Sequence, residues 1–208
     1  MEQQVKKAIN ILRKSGIVAY PTDTVYGLGA NALDEAAVLR VYAAKRRTHR
    51  LAIPILLAAI SQIDEVACNI PAIAWSLAER FLPGGLTLVL YKSPAIPNVV
   101  TAGENKVAVR VPAHPIPIAL VQGLGAPITG TSANLSGNPN PVTAEEVRRQ
   151  LGDSVDLIID GGRCHGDVAS TVIDLTSEYP LILREGVISR EEIEKACRLP
   201  VKSSKGVR

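Results

Sequence analysis

Aromatic residues are scarce in this chain: its 208 residues include 5 Tyr, 1 Trp and 1 Phe, or 3%, although the apolar set as a whole makes up 47%. A core with so few large anchors must be assembled from Ala, Val, Ile and Leu, which suits sheets covered by helices. Cysteine is scarce too. Cys68, Cys164 and Cys197 are odd in number, widely spaced and contain no C-x-x-C pair, so free thiols are expected. Long apolar runs are missing: the longest, LAIPILLAAI at 51–60, contains Pro54 and is about half of the ~20 residues that cross a bilayer. It reads as a buried strand and its exit. The opening MEQQVKKAIN lacks the apolar segment of a signal peptide, so a cytoplasmic protein without membrane attachment is expected. Charge of one sign is not abundant either. A formal net charge of +3 is weaker than a dedicated nucleic-acid-binding domain carries, and it fits anionic ligands equally well.

What is present reads as one domain, with a core over about residues 5–197 and a flexible tail at 198–208. Val5, Ala8, Ile9 and Leu12 recur at helical spacing, Gly16 ends that pattern, and IVAY follows as a strand. Asp34 caps a helix over DEAAVLRVYAAKRR, IPILL is a strand, and SQIDEVA and AIAWSLAERF are helices. After Pro83-Gly84-Gly85, LTLVLY and VAVRV read as strands, and IPIALVQGL as a short helix. TGTSANLSGNPNP reads as a loop. Thr143 with Glu146 and Ser189 with Glu192 form capping boxes for two further helices, and DLIID, STVID and LILR lie between them as strands. Some strands alternate with helices and others follow each other directly. The expected fold is therefore α/β (α+β mixed), a single twisted mixed parallel/antiparallel sheet flanked by helices.

Two stretches share a spacing. Lys45-Arg46-Arg47 and Ser132-Ala133-Asn134 place polar groups two residues apart, which on a helix point roughly opposite ways but in an extended segment share a side. Read as extended, they form two lips of one cavity, cationic on one side and hydrogen-bonding on the other, suited to phosphates and carboxylates. KRR is equally what a solvated helix end looks like, favoured there by the helix dipole. TGTSANLSG lacks both the lysine of a P-loop and the spacing of a dinucleotide fingerprint. His49, His114 and His165 are scattered, and Cys164-His165 is too short a pairing for a zinc site.

PTDTVYGLGANA, the K-x-R of Lys45 and Arg47, PGGLTLVL, VAVRVPAHP, TGTSANLSGNPNP, DGGRCHGDVASTVIDL and LILREG resemble, in the same order, the motifs of the TsaC/YrdC family of threonylcarbamoyl-AMP synthases. The resemblance runs from about Gly16 to Gly186 and is to the short form without an extra C-terminal domain. Thr48 and Ala52 stand where the family commonly has prolines, so the 48–52 loop departs from the pattern.

The resemblance implies a YrdC-like fold with a concave, positively lined face, and a nucleotidyltransferase reaction. L-threonine, bicarbonate and ATP, with Mg²⁺ on the triphosphate, would give threonylcarbamoyl-AMP and pyrophosphate. The product would pass to a threonylcarbamoyl transferase complex that modifies tRNA, with a direct RNA or tRNA contact also open. By the same resemblance Lys45, Arg47, Ser132 and Asn134 form a tetrad at ATP and the carbamate, Arg184 approaches the nucleotide, and His49 is counted with it. Thr22, Arg110 and Ser170, with Ser132, match positions expected to hold threonine. Gly27 and Gly29 would let the backbone approach that ligand, and Asp23 would fix the turn. Two alternatives are a double-stranded RNA-binding module without chemistry, and a carbamoyl-transfer domain with another acceptor. Threonine-dependent release of pyrophosphate separates all three.

Overall fold

The computed structural model describes residues 1–164, 166 and 168–203. In chain order the helices are α1 (Glu2–Leu12), α2 (Glu35–Lys45), α3 (Ile63–Val66), α4 (Ala72–Phe81), α5 (Pro115–Leu124), α6 (Ala144–Leu151) and α7 (Arg190–Cys197). The strands are β1 (Val18–Tyr20), β2 (Gly27–Gly29), β3 (Ile55–Leu56), β4 (Ala67–Cys68), β5 (Leu86–Lys92), β6 (Lys106–Arg110), β7 (Ile128–Thr129), β8 (Thr131–Ser132), β9 (Leu157–Ile158), β10 (Thr171–Asp174), β11 (Leu181–Arg184) and β12 (Lys202–Ser203).

The mixed α/β character is as expected, but the strands form two sheets instead of one. A four-stranded sheet has the order β8-β2-β1-β9, and an eight-stranded sheet the order β12-β11-β10-β5-β6-β3-β7, with β4 also paired to β5. Both mix directions: β1 runs antiparallel to β2 and parallel to β9, and β5 runs antiparallel to β6 and parallel to β10. The split follows from the 129–131 segment, where the chain passes from β7 in one sheet to β8 in the other. This part of TGTSANLSG was expected to be loop. It lies in strands because its backbone groups are paired by β2 and β3.

Helix ends follow the sequence closely. Asp34 accepts from the backbone N–H groups of Ala36 and Ala37, Thr143 from that of Glu146, and Ser189 from that of Glu192. Each oxygen satisfies a donor that the first helical turn leaves open. Residues 201–203, expected within the tail, belong to the fold instead. Val201 is buried, and Lys202 and Ser203 pair in parallel with Leu181 and Ile182 of β11, so this stretch is a sheet edge.

The long central strands position the site. In β5 and β6 successive side chains face opposite ways. Leu86, Leu88, Leu90, Val107 and Val109 enter the core, whereas Thr87, Val89, Lys106, Ala108 and Arg110 face a cleft on the other side.

Candidate active site

The cleft has a volume of about 370 Å³. Its floor is that polar face of the large sheet. Its walls come from the turn after β1, the segment after α2, the β7–β8 connection, Ala169 and Ser170 just before β10, and Leu183 and Arg184 at the end of β11. Arg47, Arg110 and Arg184 all line it, with Lys106 at one end. Burial pushes the Arg184 pKa down, and the charges of Arg110 and Arg47 push it further, so the three guanidinium groups share one electrostatic space. The hydroxyls of Thr24, Thr87, Ser132 and Ser170 are spread among them.

At one end, the K-x-R and S-x-N motifs meet, but through a different geometry than two extended lips. Lys45 is still helical, as the last residue of α2, and Arg46 follows in the left-handed region at φ 49°. That reversal, with the Arg46 and Arg47 N–H groups bonded back into the helix end, turns Arg46 to solvent and Arg47 to the cleft. Lys45 is 1% exposed and does not line the cleft. Its Nζ donates to the Ser132 carbonyl, to the Asn134 carbonyl at 2.8 Å and to Asn134 Oδ1 at 3.0 Å. Burial, then the Arg47 charge, pushes its pKa down to about 7. In its charged form the ammonium pairs one proton with each of these three oxygens, and burial works against that charge.

Ser132 and Asn134 do share a side. Ser132 Oγ donates to Asn134 Oδ1 at 2.6 Å, while Ala133 between them is fully buried. Asn134 is buried and its Nδ2 donates to the Asn138 carbonyl at 2.6 Å, so of this pair it is Ser132 that reaches the cleft. Arg47 donates to the carbonyls of Leu51 at 3.3 Å and Ala52 at 2.9 Å, which fixes the course of the 48–52 loop without the prolines. His49 is exposed, stacks at a tilt on Tyr42 with centroids 4.7 Å apart, and is not part of the cleft wall.

A second cluster in the cleft is built around Arg110. Its Nε donates to the Gly84 carbonyl at 2.8 Å, Nη1 to Thr24 Oγ1 at 3.1 Å and Nη2 to Asp23 Oδ1 at 2.7 Å. Asp23 therefore does more than fix a turn. The residue that fixes the turn is Thr22, whose Oγ1 donates to the Val25 carbonyl at 2.7 Å and accepts from the Thr24 and Val25 N–H groups. Thr22 abuts a small cavity of about 30 Å³ beside the cleft, and Thr24 is the threonine of this motif on the cleft wall. Ser170 Oγ lies 2.8 Å from Thr87 Oγ1 and accepts from Arg184 Nη2 at 3.1 Å. Arg184 also donates twice to the Ser170 carbonyl. Gly186 makes this possible, since a Cβ there would come within 2.4 Å of the Ser170 and Thr171 backbone.

Gly27 and Gly29 have a different purpose from the one the motif implied. Both lie in β2 opposite β1, and a Cβ on either would meet the Tyr20 ring, at 2.8 Å and 2.6 Å respectively. They make room for a fully buried tyrosine whose hydroxyl donates to the Thr129 carbonyl at 2.7 Å. Sequence reasoning also missed Thr87, which β-strand alternation places beside Val89 on the cleft side. His165 lies outside the described residues. Among the described residues no cluster of three His, Cys, Asp or Glu side chains forms a metal site, and the two carboxylates nearest the cations, Asp23 and Asp174, are paired with Arg110 and Lys106. No described helix is long and apolar enough to cross a membrane.

The Sua5/YciO/YrdC family model, described as telomere recombination, matches residues 10–186. The chain is 47% identical over 194 residues to the threonylcarbamoyl-AMP synthase of Pyrococcus abyssi, covering 93% of this chain and 57% of that one. To the threonylcarbamoyl-AMP synthase of Bacillus subtilis it is 42% identical over 207 residues, covering 99% and 60%. The crystal structure of P. abyssi Sua5 complexed with L-threonine matches with a TM-score of 0.93 at 45% identity, covering 97% of this chain and 59% of that one. The chain thus spans about three-fifths of the length of these relatives. A match over residues 10–186, with identities of this size, establishes that the chain belongs to the Sua5/YciO/YrdC family.

Proposed function

We propose that the cleft makes threonylcarbamoyl-AMP and pyrophosphate from L-threonine, bicarbonate and ATP. The observation that carries this reading is the convergence of Arg47, Arg110 and Arg184 on one hydroxyl-lined cleft in a member of this family. The amine of threonine first combines with bicarbonate or CO₂ to give a carbamate. A carbamate oxygen then attacks the α-phosphorus of ATP, and the bond to the β-phosphate bridging oxygen breaks, releasing pyrophosphate. The attacking oxygen belongs to the substrate, so the enzyme needs no nucleophile of its own. What it must supply is alignment and fixed positive charge where the phosphoryl oxygens gain negative charge.

Arg47 and Ser132 stand at the phosphate end of this arrangement, with Lys45 and Asn134 holding them from beneath, and Arg184 neutralises charge between the two substrates. Arg110, Thr24 and Ser170 receive the amino acid. Mg²⁺ enters on the phosphates of ATP; among the described residues no cluster of three His, Cys, Asp or Glu side chains would hold it. The product would serve the modification of tRNA adenosine by a separate transferase. The likeness to two threonylcarbamoyl-AMP synthases and to a threonine-bound structure supports this assignment over a purely RNA-binding role.

The test is pyrophosphate release by the purified chain with ATP, Mg²⁺ and bicarbonate, with and without L-threonine. Release that requires threonine and yields an acid-labile adenylate is the expected result. Release that is unchanged without threonine overturns the reading.

A further inference from the structure

Three sequence motifs converge on one guanidinium. PTDT contributes the Asp23 carboxylate and the Thr24 hydroxyl, PGG contributes the Gly84 carbonyl, and VAVRV contributes Arg110 itself. The partners lie 86, 87 and 26 residues from Arg110 in the chain, so the arrangement exists only in the folded state. An arginine has five N–H donors in a planar fork. Here one on Nε, one on Nη1 and one on Nη2 are taken, which accounts for three of them. The remaining two belong one to each terminal nitrogen, so Arg110 still has donors for an anionic ligand in the cleft.

The Asp23 contact is the one with charge. Its 2.7 Å ion pair with Arg110 is largely buried, the two side chains being 18% and 9% exposed. The three contacts together fix the guanidinium plane, and the carboxylate is the one that also balances its charge. Arg110 lines the cleft. Asp23 does not, and it has no contact with the cleft space except through Arg110 and the neighbouring Thr24. It therefore acts on the occupant indirectly.

We infer that Asp23 is a positioning residue for the amino acid: it holds Arg110 so that the remaining N–H groups of the guanidinium meet the substrate carboxylate, and it thereby selects free amino acids over carboxyl-blocked ones. This rests on the assignment of threonine to the cleft, and it concerns only the part of the cleft at Arg110. Arg47, assigned to the phosphates, is held by the Leu51 and Ala52 carbonyls and not by Asp23.

The experiment compares the wild type with Asp23→Asn and Asp23→Glu, using L-threonine and L-threonine methyl ester as probes. Binding is measured by calorimetry, and turnover by pyrophosphate release. Asparagine keeps the size of the side chain but loses the charge that fixes the fork. In Asp23→Asn the threonine Kd and KM should rise about ten-fold or more, while kcat and the KM for ATP stay within about three-fold. The wild-type preference for threonine over its ester should shrink by the same factor, and Asp23→Glu should recover part of it. A mere turn-forming role would instead lower Tm and weaken ATP and threonine alike, which overturns the proposal. So does a wild type that binds the acid and the ester equally. If threonine binds with the expected preference but no threonine-dependent pyrophosphate appears, the reaction assigned above falls and the positioning role of Asp23 stands.

Discussion

Lys45 and Arg110 are both cations sunk beneath the same cleft, 1% and 7% exposed, and the chain uses them in opposite ways. Lys45 spends its three protons on oxygens of the chain itself, the Ser132 carbonyl and two from Asn134. Arg110 spends three of its five and keeps a pair of N–H groups at the cleft. A compact ammonium with three donors saturates on three acceptors, whereas a guanidinium with five donors still has two to offer. The comparison teaches that a buried cation in a ligand site can be a strut or a receptor, and that counting its donors tells which. The K-x-R and S-x-N motifs are thus coupled by a strut, with Arg47 and Ser132 as the groups that face the cleft.

The largest effect should come from removing the strut. Lys45→Ala removes this donor from the Ser132 and Asn134 carbonyls, leaves Asn134 Oδ1 with the Ser132 hydroxyl alone, and opens a void where the side chain lay. It should lower stability by about 2 to 4 kcal/mol, and lower kcat/KM by about 10² or more as Ser132 and Asn134 shift. Thermal melting alongside steady-state kinetics checks this. Lost activity with an unchanged Tm would break the comparison, because Lys45 would then be acting on substrate directly.

A smaller effect tests the charge of the strut. The Lys45 pKa is about 7 in the folded chain against 10.5 for an ordinary lysine. Below about pH 7 both states carry the proton and the burial cost is present in full. Between the two values the unfolded chain holds a proton that the folded chain sheds, so stability rises with pH across that window. Denaturant unfolding of the wild type should gain about 2 kcal/mol from about pH 7 to about pH 9 relative to Lys45→Met, at up to ~1.4 kcal/mol per unit. Parallel pH profiles in the two proteins would show that Lys45 keeps its proton throughout.

The smallest effect should be that of Arg46→Ala, next in the chain to both groups. Arg46 caps α2 in the left-handed region with its side chain in solvent, so kcat/KM should stay within about two-fold. A loss comparable to that of Arg47→Ala would place the Arg46 side chain on the cleft and undo the division between buried strut and exposed neighbour.

Sequence alone determined what depends on contacts within a turn or two. Asp34, Thr143 and Ser189 announce helix starts because a short oxygen-bearing side chain meets N–H groups two or three residues ahead. Strand alternation sorts Leu86 from Thr87 and Val109 from Arg110, because neighbouring side chains in a strand face opposite ways whatever covers them. Seven motifs in order were enough for the family. Only the tertiary structure decided which member of each motif faces the cleft. Thr22 and Thr24 are equivalent in the sequence, and what separates them is that Arg110, 86 residues away, reaches the second. Gly27 and Gly29 look like ligand-approach glycines until the ring of Tyr20 is placed across them. The K-x-R spacing reads as an extended lip until Lys45 is found inside, paired with residues 87 and 89 positions on. Such partners are brought together by closure of the two sheets over a shared core, and no local rule reaches that far. The expected loop at 129–132 and the expected tail at 201–203 became strands for the same reason: unpaired backbone groups were met by strands far away in the sequence.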